Sequence, residues 1–179
     1  MLGIKRIVIA PHERGVYLQD RKIVKILEPG VHRVLDLFGR ISIEVYDLTV
    51  AEFYHAYVDV LLKENADLVA KYFQVIELGE YEVGLVYKNG KLSDVLAPAT
   101  RQLYWKGLIE VEVKVQNIET DFAVANKIVG LIAHSCANGL PTQVVNYITM
   151  TEIADNHLGL LIVDGEMTKT LKPGLYAFW

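Results

Sequence analysis

Apolar and polar residues alternate with a period of two over short stretches of the chain, a pattern that predicts half-buried β-strands. Ile41-Ser42-Ile43-Glu44-Val45-Tyr46 and Ile109-Glu110-Val111-Glu112-Val113-Lys114-Val115 carry it most clearly. Charge on the wet faces of such strands also discourages edge-to-edge pairing. The period changes over Val58 to Phe73, where Leu61, Leu62, Val69 and Phe73 share one helix face, with a break predicted near Asn65. A second helical stretch is predicted from Ala123 to Ala133. Asn138-Gly139 stops it, and Pro141 opens another helix over Thr142 to Tyr147.

The strand signals recur. Gly15, Gly84 and Gly159 are each followed 14 residues later by a proline, Pro29, Pro98 and Pro173. The text between reads GVYLQDRKIVKILEP, GLVYKNGKLSDVLAP and GLLIVDGEMTKTLKP, at offsets of 69 and then 75 residues. Apolar positions coincide at Val16, Leu85 and Leu160, at Ile23, Leu92 and Met167, and at Leu27, Leu96 and Leu171. Each segment predicts a β-hairpin. Asn89-Gly90 and Asp164-Gly165 suit a type I′ turn, which needs positive φ at both central residues. Asp20-Arg21 suits it poorly, so a longer or different turn is predicted there. Proline closes each second strand because it cannot donate to a ladder.

The predicted architecture is α+β: three β-hairpin-based pseudo-repeats linked by short helices. The boundaries read as unit 1 over 1–50, a helical linker over 51–72, unit 2 over 73–118, a helical linker over 119–147, and a truncated unit 3 over 148–179. Unit 3 has no counterpart of the alternating strand, so the chain is expected to be a piece of a longer protein. An unpaired edge is expected beside residues 167–172. Leu175, Tyr176, Phe178 and Trp179 are expected to add exposed apolar surface and drive self-association.

Composition supports a folded core: 52% of the 179 residues are hydrophobic, 22% are charged, and mean hydropathy is +0.25. The net charge of −4 does not favour nucleic acid as a partner. It is unevenly spread: residues 1–40 hold eight Lys/Arg and four Asp/Glu, against a net −8 for the remainder. A basic first unit on an acidic body favours an acidic partner or an anionic surface, although a solvated face accounts for so small an excess. Cys136 is the only cysteine, so no internal disulfide forms, consistent with a reducing compartment. No apolar run approaches the roughly 20 residues that span a bilayer, and Lys5 and Arg6 interrupt the first one.

Candidate chemistry fails on spacing. Gly84 to Gly90-Lys91 has five residues between its glycines where a phosphate loop needs four, and Leu92 follows where Ser or Thr belongs. His134 and Cys136 are two apart on a predicted helix and do not share a face. Cys136 therefore reads as a buried structural cysteine. His12, His32, His55 and His157 have no metal-ligand spacing. Glu80 with Glu82, and Glu110 with Glu112, read as solvated strand faces rather than acid–base pairs. Tyr81, Tyr87, Tyr104 and Trp105 read as packing between hairpin and helices. No catalytic, cofactor-binding or metal-ligating residue is assigned.

Two segments resemble a known family. Glu82-Val83-Gly84-Leu85-Val86-Tyr87-Lys88-Asn89-Gly90-Lys91 and Lys172-Pro173-Gly174-Leu175-Tyr176-Ala177-Phe178-Trp179 look like the opening of the domain shared by stomatin and prohibitin homologues. That opening has a glutamate, a Gly-Val-Val, a Gly-Lys turn, a Pro-Gly-Leu and an aromatic pair. The chain as a whole resembles the bacterial slipin group of the SPFH (band 7) superfamily, in which an N-terminal region with related hairpins precedes the SPFH domain. The resemblance implies a non-catalytic, membrane-associated scaffold of cytoplasmic location that forms homo-oligomers, often beside a membrane protease. It implies membrane contact mainly through sequence outside this stretch. The competing expectation is a small hydrolase or ligand-binding enzyme with a cleft between repeats. Convergent polar side chains with perturbed pKa values would mark such a cleft.

Overall fold

The computed structural model describes residues 3–125, 128–130 and 148–179. It is an α+β protein made of small antiparallel sheets with, among the described residues, two complete short helices. In chain order, β1 is Ile4–Ile9, β2 Glu13–Gln19, β3 Lys22–Leu27, β4 Gly30–Leu35 and β5 Ile41–Asp47. β1 pairs with β4, while β2 lies between β3 and β5. Next come β6 (Glu52–Phe53), α1 (Val58–Glu64), α2 (Ala66–Tyr72), β7 (Phe73–Glu77), β8 (Glu82–Lys88), β9 (Lys91–Leu96), β10 (Arg101–Trp105) and β11 (Val111–Asn117). β10 lies between β6 and β7, and β8 between β11 and β9. The last strands are β12 (Thr149–Ile153), β13 (Gly159–Val163), β14 (Glu166–Leu171) and β15 (Gly174–Phe178), pairing as β12 with β15 and β13 with β14.

Three local devices shape the hairpins. The first is the turn. Asp20 (φ 50°) and Arg21 (φ 65°), Asn89 (φ 49°) and Gly90 (φ 76°), and Asp164 (φ 52°) and Gly165 (φ 84°) all form two-residue turns with both centres at positive φ. The expectation of a different turn at Asp20-Arg21 is thus corrected. The segment before β5 holds that turn in place: Asp20 N–H donates to Arg40 O at 3.0 Å, and Arg40 Nε lies 3.6 Å from Asp20 Oδ1. Asn89 is clasped similarly. Its N–H donates to Glu110 O at 2.9 Å, and its Oδ1 accepts from Glu110 N–H at 3.1 Å.

The second device is the missing side chain early in β2, β8 and β13. A Cβ on Gly15 would stand 3.0 Å from Ile9 Cδ1 and 3.2 Å from Leu27 Cβ. On Gly84 it would stand 3.0 Å from Val113 Cγ1 and 3.2 Å from Leu78 Cδ1. On Gly159 it would stand 2.7 Å from Ile153 Cδ1. At each glycine, an apolar side chain from the preceding strand, or from just after it, fills the place of the absent Cβ.

The third device is the link into the hairpin. Glu13 N–H donates to Ala10 O at 3.0 Å, and the Glu13 carboxylate accepts from Ala10 N–H at 2.9 Å. Glu82 makes the same two bonds with Gly79, at 3.2 and 2.9 Å.

The helix predicted over Val58 to Phe73 is two helices, broken at Asn65 (φ −132°, ψ 51°). Asn65 Nδ2 donates to Ile23 O at 3.2 Å, so the break is tied to β3. The second predicted helix does not begin at Ala123. Ala123 forms a bridge to Phe178, and Val124 N–H donates to Ala177 O at 2.9 Å, so this backbone is committed to β15. Ile128–Gly130 are helical; the rest of that prediction, with His134, Cys136 and Pro141, lies outside the described residues.

The chain divides into two compact units. One holds residues 1–77, 88–91 and 101–112; the other holds 78–87, 92–100 and 113–179. The main core of the first gathers β2, β3, α1, α2, β7 and β10 around Phe53, Phe73 and Trp105. The Phe53 ring lies 4.7 Å from Phe73 and 5.0 Å from Trp105. A smaller core joins Ile9, Tyr17 and Leu27. The core of the second unit is built on Leu85, Val95, Val124, Val129, Ile148 and Ala177.

Candidate interaction surfaces

Within the first unit one hairpin face is covered by another sheet. Val16, Leu18, Ile23 and Ile26 are buried beneath the cross-strand pairs Phe73–Trp105 and Val75–Leu103 of β7 and β10. The second unit contains a contact of the same kind. Leu85, Tyr87, Leu92 and Val95 of the β8–β9 hairpin pack against Ile148, Ala177 and Trp179.

The β13–β14 hairpin carries a comparable face with nothing on it among the described residues. β2 and β13 share their irregularities: the register with the partner strand shifts at Tyr17/Leu18 in one and at Leu161/Ile162 in the other. Leu18 pairs with Ile23, and Ile162 pairs with Met167. Leu18 and Ile23 are 3% and 4% exposed, whereas Ile162 and Met167 are 60% and 65% exposed. Val16 is fully buried and Leu160 is 62% exposed. Adjacent exposed apolar side chains on a strand face are a recognition signal, unlike scattered single ones. The opposite face of this hairpin, through Leu161 and Leu171, lines a recess of about 320 Å³ with Phe122, Tyr176 and Phe178.

A second bare face lies on β1 and β4. Ile7, Ile9 and Val34 turn inward to the small core. The alternate residues form three cross-strand pairs on the other face, Ile4–Leu35, Arg6–Arg33 and Val8–Val31. All four aliphatic members are more than half exposed. Two arginines directly opposite each other repel, and neither forms an ion pair with a described residue.

The apolar C-terminus is a further correction. β15 pairs with β12, Trp179 N–H donates to Phe122 O at 2.9 Å, and the Trp179 ring packs on the second unit's core. Of the four residues expected to be bare, only Leu175 is exposed. In the two-stranded β13–β14 hairpin both outer edges are unpaired among the described residues, β14 beside 167–172 as expected and β13 (159–163) as well; the β13 side is the one that a third strand occupies on β2 and β8.

The residues weighed for chemistry are dispersed. Gly90 and Lys91 sit at a hairpin turn, not at a helix N-terminus. His12 gives its carbonyl to Leu48 N–H, the His32 ring contacts Glu28 O, and the His157 ring contacts Asp155 O. Glu80, Glu110 and Glu112 are exposed, Glu80 in a turn, Glu110 just before β11 and Glu112 within it. Tyr81 is exposed, Tyr87 lies under the Lys114 ammonium, and Tyr104 and Trp105 are buried. Among the described residues no group of three or more His, Cys, Asp or Glu is placed to hold a metal.

A polar cluster that spacing did not reveal surrounds a recess of about 500 Å³ beside Phe53, His55, Arg101 and Gln102. Its members come from strands and loops far apart in sequence, which is why no motif marks it. Their polar atoms are already engaged. His55 Nδ1 accepts from Tyr57 N–H at 3.0 Å, and Nε2 lies 3.5 Å from the Glu44 carboxylate. Arg101 reaches Asp59 at 2.7 Å and Glu77 at 2.6 Å. Gln102 Nε2 donates to Leu103 O at 2.9 Å. Burial, reinforced by a hydrogen bond to Glu44 and by its charge, pushes the Tyr46 hydroxyl up to about 12. Among the described residues no Ser, Thr or Cys hydroxyl or thiol lines this recess.

No helix among the described residues is long and apolar enough to cross a membrane. Comparison of the chain with models of known protein families, with curated proteins and with solved structures finds no match.

Proposed function

We propose that this chain is a non-catalytic assembly module made of three copies of one β unit, belonging to the N-terminal region of an SPFH-type membrane-associated scaffold. Three things support the repeat. In each third of the chain an outer strand pairs with the fourth strand around a central hairpin. A glycine stands at the same tight place in each. Each hairpin turns through two residues at positive φ. The scaffold reading rests on the bare apolar faces of β1–β4 and β13–β14, which suit protein contacts rather than a reaction centre. The resemblance of the Glu82 and Lys172 segments to the stomatin and prohibitin opening favours the family. It also favours a cytoplasmic position against a membrane, with copies of itself or a membrane protease as partners.

The test is photo-crosslinking in cells from a photoreactive residue at position 162, with a second probe at exposed Glu112 as control. Protein adducts at 162 and none at 112 are expected. The reading is overturned if neither position gives adducts and the purified chain turns over an ester or phosphate substrate in a manner lost on His55→Ala.

A further inference from the structure

The two bare faces are the unmatched halves of a contact that occurs twice inside the chain. In the first unit an outer-strand sheet, through Phe73–Trp105 and Val75–Leu103, covers a hairpin face. In the second, Ile148, Ala177 and Trp179 cover the next hairpin face. Matched by ladder position, the pair Ile4–Leu35 of β1 and β4 stands where Phe73–Trp105 stands in β7 and β10, with one extra residue before β10. Leu160, Ile162 and Met167 occupy the places of Val16, Leu18 and Ile23. The sheet that covers a hairpin is therefore exposed at the start of the chain, and the hairpin that accepts such a sheet is exposed at the end.

We infer that a second copy of this chain fills each bare face, the β1–β4 sheet of one molecule seating on the β13–β14 hairpin of the next. The contact is head-to-tail, so the assembly retains one free sheet at one end and one free hairpin at the other and can grow. Charge agrees with this pairing. Residues 1–40 carry a net +4 and place Arg6 against Arg33 on the covering face. Residues 148–179 carry four Asp/Glu and two Lys, a net −2. Within the hairpin itself Asp164 and Glu166 stand against Lys169, and this acidic excess relieves the arginine pair, so the association weakens with salt. This inference rests on the assembly reading above and names the partner.

Two variants separate it from every other occupant. Leu35→Glu spoils the covering sheet and leaves the hairpin intact; Ile162→Glu does the reverse. Both side chains are exposed, so both variants should fold, and Val31→Glu and Leu160→Glu repeat the design if either does not. Sedimentation velocity over a concentration series is the measurement. Wild type is expected to grow beyond dimer with concentration, and each variant alone to remain monomeric. An equimolar mixture is expected to form dimers and nothing larger, because only one productive face remains on each molecule. Two results overturn the inference: a wild type that stays monomeric throughout, and a mixture that fails to dimerise. A third does too: association lost with Ile162→Glu but untouched by Leu35→Glu, which would mean hairpin-to-hairpin contact. If the wild type is monomeric yet position 162 still crosslinks to another protein in cells, the assembly reading stands and only the identity of the occupant is wrong.

Discussion

Gly159 and Ile153 fit together only because one of them has no side chain: a Cβ at 159 would stand 2.7 Å from Ile153 Cδ1. Gly159→Ala is expected to destabilise the fold by about 1–3 kcal/mol, the usual cost of overpacking. Ile153→Val removes the clashing methyl, so the double variant should recover part of the loss. Gly84→Ala should be at least as costly, since its nearest neighbour is Cγ1 of the stiff, β-branched Val113, at 3.0 Å. Urea midpoints at constant slope measure all three, and full additivity of the Gly159 and Ile153 changes would contradict the contact.

The turn at Asp20-Arg21 predicts an effect of opposite sign. Arg21 holds φ 65°, which costs a residue with a Cβ roughly 1–2 kcal/mol. Arg21→Gly relieves that strain but loosens the unfolded chain, leaving a net gain of about 0.5–1 kcal/mol. Asp20 is left in place so that its bond to Arg40 O persists. A lowered thermal midpoint in Arg21→Gly would show that the Arg21 side chain contributes more than its backbone strain costs.

The hairpins were legible because their signals are local. A two-residue gap between strands, a glycine, and a proline 14 residues on can be read without knowing what lies across the sheet. The Asp20-Arg21 turn was misread for the same reason: what holds it there is Arg40, some twenty residues away, and no local rule includes it. The pairing of β1 with β4 and of β7 with β10 was also missed. Those strands are 20 or more residues apart, so no turn sets their register; in β1–β4 the inward set Ile7, Ile9 and Val34 fixes it. The bare faces were half legible. The chain's last residues were expected to be exposed, yet Trp179 is drawn into the second core, and the exposed apolar surface lies instead on Leu160, Ile162 and Met167.

Asp36 gives a prediction with a definite sign in pH. Its carboxylate accepts from the Lys5 ammonium at 2.9 Å, from Arg40 N–H at 2.9 Å and from Ile41 N–H at 3.3 Å. The Lys5 bond, with the two backbone bonds, holds its pKa below the usual carboxylate value against the opposing effect of burial. A carboxyl depressed in the folded state contributes stability that is present above its unfolded pKa, about 4. That stability is lost as pH falls through the lower folded value. Wild type should therefore lose stability below about pH 4 faster than Asp36→Asn, and the gap between their thermal midpoints should narrow from pH 7 to pH 2. A gap of constant width would mean that the Asp36 charge plays no part.

Alkaline pH tests Tyr46 in the opposite direction. Burial and the neighbouring Glu44 raise its hydroxyl to about 12. The unfolded chain gives up this proton near 10. Stability should thus fall as pH rises from about 10 towards 12, and Tyr46→Phe should remove that part of the fall. The Tyr46 hydroxyl also donates to Tyr54 O at 3.2 Å, so the variant begins from a lower baseline. The slope of stability against pH, rather than its absolute level, is therefore the quantity to compare.

Leu18 and Ile162 provide the sharpest contrast. Each pairs across its hairpin with an apolar residue, Ile23 or Met167, just after a register shift. One lies in the main core and the other faces solvent. Leu18→Ala should cost about 2–5 kcal/mol, the range for a truncated core leucine. Ile162→Ala should stay within about 0.5 kcal/mol in the monomer, as exposed positions do. The measurement must be made by denaturant unfolding at protein concentrations low enough to exclude association. Raising the concentration should then penalise Ile162→Ala relative to wild type, because only the wild type gains stability by mass action from a partner on that face. If Ile162→Ala is as costly as Leu18→Ala at low concentration, something within the chain covers the third hairpin, and the face is not available for a second copy.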